Sequence, residues 1–127
     1  MDNIQKGDKG LGDAISYFTS KGYTVSLPLT DSQKYDLIVE IEDKLNKVQV
    51  KTTESKSKYD NDDYVVYIKT THKQTDDSNK ILKFNNTKID LLYVLCGDNT
   101  RYCMPTQNIK SECNLTLNNR YENFIVG

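Results

Sequence analysis

Tyr35-Asp36-Leu37-Ile38-Val39-Glu40-Ile41-Glu42-Asp43-Lys44-Leu45-Asn46-Lys47-Val48-Gln49-Val50-Lys51 is the stretch from which the fold is read. Leu37, Val39 and Ile41 alternate with Asp36, Ile38 and Glu40; Val48 and Val50 alternate with Lys47, Gln49 and Lys51. A period of two is strand geometry. Two strands, Tyr35 to Glu42 and Leu45 to Thr52, joined at Asp43-Lys44, make a β-hairpin. A two-residue turn at Asp43-Lys44 sets Asp36 opposite Lys51. A turn one residue earlier sets it opposite Gln49. Both registers put the leucine and valine stripes on one face and Asp36, Gln49 and Lys51 on the other; only a one-residue slip would part them.

Outward from the hairpin, Asp8 to Lys21 reads as a helix. Leu11, Ala14, Ile15 and Phe18 give it one apolar face, Asp8 is a candidate N-cap and Gly22 a terminating glycine. Gly10 and Gly12 weaken its first turn by up to ~1 kcal/mol each relative to alanine, a cost that makes sense where backbone lies close to a neighbour. Tyr23 to Leu27 is a strand stopped by Pro28, and Thr30 to Lys34 is a polar loop. Beyond the hairpin, Glu54 to Asp63 is a polar loop, Tyr64 to Thr70 a strand, and His72 to Lys80 a polar, mobile loop with His72 exposed. Ile89 to Cys96 is an interior strand, and Thr100 to Met104 pairs back on it through Gly97-Asp98-Asn99. Pro105 opens a short helix through Ile109, and Leu115 to Gly127 is weakly patterned.

The 127 residues suggest one domain, 1–127, large enough to bury a core without cross-links. The mixed-charge N-terminus lacks a secretory h-region, and no apolar run reaches the ~20 residues of a membrane span. The expectation is a cytoplasmic protein with no membrane partner. An odd count of three cysteines, Cys96, Cys103 and Cys113, points to free thiols in a reducing compartment. Cys96 and Cys103 facing each other across a hairpin, with His72, would be a zinc site, but no CxxC spacing supports one. A net charge of −1 weighs against nucleic-acid binding unless basic residues share a local face or several copies assemble.

The polar face of the hairpin has the chemistry of phosphodiester hydrolysis. A divalent cation neutralises phosphate and lowers the pKa of water; magnesium takes oxygen ligands. Asp36 supplies a carboxylate, Gln49 an amide oxygen, Val50 a backbone carbonyl, and Lys51 a cation for the attacking water or the developing phosphate charge. Asp13, on the first helix, is the candidate second carboxylate. Two carboxylates about 4 Å apart repel by roughly 4 kcal/mol at an effective dielectric near 20, so such a pair invites a metal ion. Taken singly, an acid opening a strand, a Gln-x-Lys on a wet face and a first-turn acid on a helix are ordinary surface features. Their order and shared facing raise the functional reading above that.

A helix with an acid, then Gly22-Tyr23-Thr24-Val25, Pro28, Tyr35-Asp36-Leu37-Ile38-Val39 and Val48-Gln49-Val50-Lys51-Thr52 resembles the PD-(D/E)XK nuclease superfamily. The likeness is nearest to the branch holding a group I intron homing endonuclease and Holliday-junction resolvases. It runs from about Lys6 to Thr53 and resumes more weakly from Lys88 to Leu117. The resemblance implies an α/β, restriction-endonuclease-like domain with a central mixed β-sheet flanked by helices. It implies magnesium-dependent cleavage of double-stranded or branched DNA, with manganese as substitute. Asp13, Asp36, Gln49 and Lys51 then take catalytic roles, and Asp13, Asp36, Gln49 and Val50 hold the metal. Gln49 stands at the variable D/E position, and Asp13 stands where the family usually has Glu. Lys6, Lys9, Gln33, Lys34, Lys56 and Lys58 lie where DNA phosphates would pass, with Tyr59 and Tyr64 able to stack. Two strands to cut suggest a homodimer or homotetramer. The rival reading is a catalytically inactive nuclease-fold module that binds DNA or a protein. A ββα-metal nuclease needs more histidines than His72, and Tyr67-Ile68 lacks the glycines of a GIY-YIG motif.

Overall fold

The computed structural model describes residues 1–58, 62–73 and 79–127, so Tyr59 lies outside the described residues. The first element, α1, is an α-helix over Asn3–Ser20. It starts ahead of the expected Asp8 because a capping box forms upstream. Asp2 accepts the Gln5 N–H at 2.8 Å, and the Gln5 side chain accepts the Asp2 N–H at 3.0 Å. Asp8 is an interior helical residue instead. At the other end Gly22 takes a φ of +85°, the left-handed conformation expected of a terminating glycine.

Among the described residues ten strands follow: β1 (Thr24–Ser26), β2 (Leu37–Ile41), β3 (Lys44–Thr53), β4 (Val65–Tyr67), β5 (Thr70–Lys73), β6 (Asn79–Leu82), β7 (Leu91–Cys96), β8 (Arg101–Pro105), β9 (Asn114–Thr116) and β10 (Ile125–Val126). Six form a mixed sheet in the order β1-β2-β3-β7-β8-β10. Its one parallel pairing, β3 with β7, lies at the centre. β4 pairs with β9 and β5 with β6 in two small sheets. The expected loop from His72 to Lys80 is thus partly a hairpin in its backbone, and residues 74–78 lie outside the described residues. The weakly patterned tail supplies β10 and a 3-10 helix, Asn119–Phe124, while Pro105 leads into a single 3-10 turn, Thr106–Asn108.

The hairpin takes the earlier of the two registers. Ile41 pairs with Lys44 and Leu37 with Val48. Glu42 and Asp43 occupy the turn with φ of 51° and 66°, the two positive values of a tight hairpin turn.

The sheet divides the interior in two. On one face α1 packs Ala14 and Phe18 against Leu37, Val39, Val48 and Tyr93. Gly10 brings α1 close to β3: a Cβ there would lie 2.5 Å from Thr52 Cγ2. The opposite face carries no α-helix among the described residues. Leu92, Val94, Cys96, Tyr102 and Met104 are covered there by Val66, Ile68, Phe84, Ile109, Leu115, Leu117 and Tyr121. Helices therefore flank the sheet unequally. The alternation also sends Cys96 and Cys103 to opposite faces, so they do not meet across the hairpin. The three cysteines are free thiols; burial raises Cys96 to about 12 and Cys103 to about 11.

Candidate active site

A long parallel pairing on one edge of β3 and a short antiparallel one on the other create the site. Along β3, the carbonyls of Lys47 and Thr53 accept N–H groups of Asp90 and Gly97 on the β7 side. Main-chain groups alternate edges along a strand, so the N–H and C=O of Val50 point the other way, toward β2. There the regular ladder has ended at Leu37. The Asp36 N–H donates to the Val48 carbonyl at 2.8 Å, and the Asp36 carboxylate accepts the Val50 N–H at 2.7 Å. Asp36 thus replaces a missing strand for Val50, and its carboxylate and the Val50 carbonyl share one edge.

Gln49 and Lys51 flank Val50 and project to the face away from α1. With Asp36 they line a cleft of about 600 Å³. One wall is the loop of Asp31, Ser32, Gln33 and Lys34; the other is Ile68, Lys83, Phe84 and Asn85. Gln49 is only 7 % exposed, and its Nε2 donates to the Lys34 carbonyl at 3.4 Å. That contact orients the amide, because a carbonyl cannot accept from Oε1. Gln49 Oε1 is left buried without a partner. A buried orphan acceptor costs about 1–3 kcal/mol, which a bound ligand would recover.

The charges are tuned in the same direction. Asp36 remains reachable by solvent, yet crowding by surrounding protein raises its pKa, opposed by the Val50 N–H and the Lys51 charge. Burial lowers the pKa of Lys51, opposed by Asp36. Burial pushes each group toward its neutral form, and the charge of its neighbour opposes that shift.

Asp13 is elsewhere. Its carboxylate accepts Arg101 Nε and one terminal guanidinium nitrogen, each at 2.7 Å, and the Tyr93 hydroxyl at 2.6 Å. The Arg101 hydrogen bonds hold its pKa below the usual carboxylate range, against a smaller effect of burial. Tyr93 belongs to the α1 face, so the structure does not bring Asp13 to Asp36; it binds α1 to β7 and β8.

The expected phosphate contacts also separate. Gln33 and Lys34 line the cleft, although Gln33 folds back to hydrogen-bond Thr30. Lys6 and Lys9 line a second opening of about 550 Å³ beside the end of β3, where Lys6 pairs with Glu54 at 3.0 Å. Lys56 lies over the Tyr64 ring, 5.0 Å from its centroid, and Lys58 is exposed. Among the described residues no group of three or more His, Cys, Asp and Glu could hold a metal ion. Gln49 Oε1, the Val50 carbonyl and the Asp36 carboxylate are oxygen donors of the type a hard divalent cation would take. The sequence reading missed the second wall: Lys83 and Asn85 carry no motif and reach the cleft only through tertiary packing.

The PD-(D/E)XK endonuclease family model matches residues 1–123. Among solved structures, a bacterial homing endonuclease, I-Ssp6803I, is similar with a TM-score of 0.80 and 24 % identity, over 98 % of this chain and 89 % of that one. No curated protein matches the chain.

Proposed function

The chain belongs to the PD-(D/E)XK endonuclease family, and on that premise we propose that it is a divalent-metal-dependent DNA endonuclease whose active site is the Asp36–Gln49–Val50–Lys51 edge of β3. The observation that carries this reading is that Asp36, hydrogen-bonded to the Val50 N–H, lines one cleft with Gln49, whose Oε1 is unpartnered, and with Lys51. The Asp36 carboxylate, Gln49 Oε1 and the Val50 carbonyl would hold Mg²⁺, or Mn²⁺ in its place. The cation would supply charge neutralisation at the scissile phosphate and a lowered pKa for the attacking water.

The remaining chemistry belongs to the chain. Burial raises the pKa of Asp36, and the Val50 N–H and Lys51 oppose that rise. The Lys51 ammonium orients the water and meets negative charge developing on phosphate, an interaction strengthened by its partial burial. The Asp31–Lys34 loop bounds the path of the strand being cut. Asp13 stands outside this machinery and acts through the placement of α1.

We read residues 1–127 as one domain acting on double-stranded or branched DNA. The structural relative is a homing endonuclease, and a homing role is the reading adopted for this chain. Cutting both strands requires two such sites, so a homodimer or homotetramer is the expected assembly. Three free thiols suit a cytoplasmic setting. No described helix is long and apolar enough to cross a membrane.

Digestion of supercoiled plasmid tests the assignment. Wild-type protein nicks or linearises it with Mg²⁺ or Mn²⁺, and Asp36→Asn and Lys51→Ala each lose at least about 100-fold in rate, the scale of a general acid–base or electrostatic group. Undiminished cutting by both variants rules the mechanism out. A folded wild type that cuts nothing, with no cation-dependent shift in melting, favours the inactive binding module.

A further inference from the structure

The second wall of the cleft presents a cation that the sequence motif does not contain. Lys83 leaves β6, whose last residue, Leu82, pairs with Thr70. The next residue, Phe84, is buried in the core, and its N–H donates to the Glu112 carbonyl at 2.8 Å. The Asn85 side chain then closes a turn, accepting the Thr87 N–H at 2.9 Å and the Thr87 hydroxyl at 2.6 Å. Lys83 therefore sits between anchored neighbours, itself exposed and lining the cleft that holds Asp36 and Lys51. It makes no ion pair among the described residues. Lys51 feels the charge of Asp36, whereas Lys83 has no acidic partner among the described residues.

A DNA strand reaching Asp36 must pass between the walls. Successive phosphates of one strand advance ~3.4 Å along the duplex axis, so phosphates beside the reacting one come against Lys34 on one side and the Lys83 segment on the other. We propose that Lys83 is a substrate-positioning residue that binds a DNA phosphate next to the one being cut, across the cleft from Lys34. The inference rests on the nuclease reading of this cleft. Its role is binding and alignment: no proton or bond changes at Lys83.

Two arms separate this proposal from the nuclease reading. In the first, wild-type, Lys83→Ala, Lys83→Gln and Lys83→Arg proteins cut supercoiled plasmid with Mn²⁺. Lys83→Ala and Lys83→Gln raise KM about tenfold, the usual scale of a charge-assisted contact. Their kcat changes by less than about twofold, as expected for uniform binding, and Lys83→Arg restores KM. In the second, binding to a short random-sequence duplex is followed against salt in Asp36→Asn protein without divalent cation. Removing Lys83 lowers the log–log slope by about 0.9, one phosphate contact. Unchanged KM and slope, or Lys83→Arg as defective as Lys83→Ala, overturns the proposal. The binding arm reads Lys83 whether or not the wild type cuts; failure of wild-type cutting alone counts against the nuclease reading.

Discussion

Asp13 shows how a residue type can be right for a site and its surroundings decide otherwise. A helix acid beside Ala14 and Ile15 was expected to reach a metal, but Arg101, from far along the chain, forks onto both of its oxygens and Tyr93 adds a third donor. Nothing local to residue 13 announces Arg101, so sequence could not assign this role. Asp13→Asn removes the charge and leaves Arg101 and Tyr93 poorly paired. The expected loss is about 1–2 kcal/mol, reduced by the partial exposure of Arg101 to solvent. The pH dependence has a definite sign. The folded-state pKa of Asp13 is depressed, so its contribution is complete above the unfolded value and is lost as pH falls through the folded one. Urea midpoints of wild type and Asp13→Asn should be separated by a constant gap at neutral pH that narrows below about pH 4. A gap independent of pH down to acid unfolding would remove the ion pair as its cause.

Among the elements, the hairpin of β2 and β3 was legible because alternation and a polar face survive any reasonable register, whereas the choice of register was not. It depended on Glu42 and Asp43 both adopting positive φ, which residue type alone does not demand. The start of α1 was misplaced because Asp8 alone was read as the N-cap, whereas the cap that forms is Asp2, to which the Gln5 side chain returns the hydrogen bond. The three helical glycines look alike in sequence and differ in the fold. Around Gly7 and Gly12 an added methyl meets nothing within 4 Å, while at Gly10 it strikes Thr52 Cγ2 at 2.5 Å. Gly7→Ala and Gly12→Ala should each stabilise the protein by roughly 0.5–1 kcal/mol, the ordinary helix gain. Gly10→Ala should destabilise it by about 1–3 kcal/mol as α1 is forced off β3. Thermal melts of the three variants check the contrast, and equal effects would mean that α1 does not sit this close to the sheet.

The whole molecule keeps its two kinds of polar group on opposite faces of one sheet. On the α1 side Asp13 is satisfied and its pKa lowered; on the other side Asp36 and Gln49 are under-satisfied, and burial dominates the raised pKa of Asp36. On the proposed function, stability and reactivity belong to separate surfaces, with the sheet between them. A raised folded-state pKa means that the native protein disfavours the ionised carboxylate, so Asp36 lowers stability above that pKa and its contribution worsens as pH rises through it. Asp36→Asn at neutral pH should therefore melt at the wild-type temperature or higher, the reverse of Asp13→Asn, since an amide oxygen can still accept the Val50 N–H. Cutting should divide in the opposite sense. Asp36→Asn loses it, while Asp13→Asn keeps a near-normal rate per folded molecule at temperatures well below its lowered Tm. Because the two sites share no partner, the double variant should show the sum of the two stability changes within about 0.5 kcal/mol. Strong non-additivity, or loss of cutting by fully folded Asp13→Asn, would show that the acid behind the sheet acts on the site in front of it.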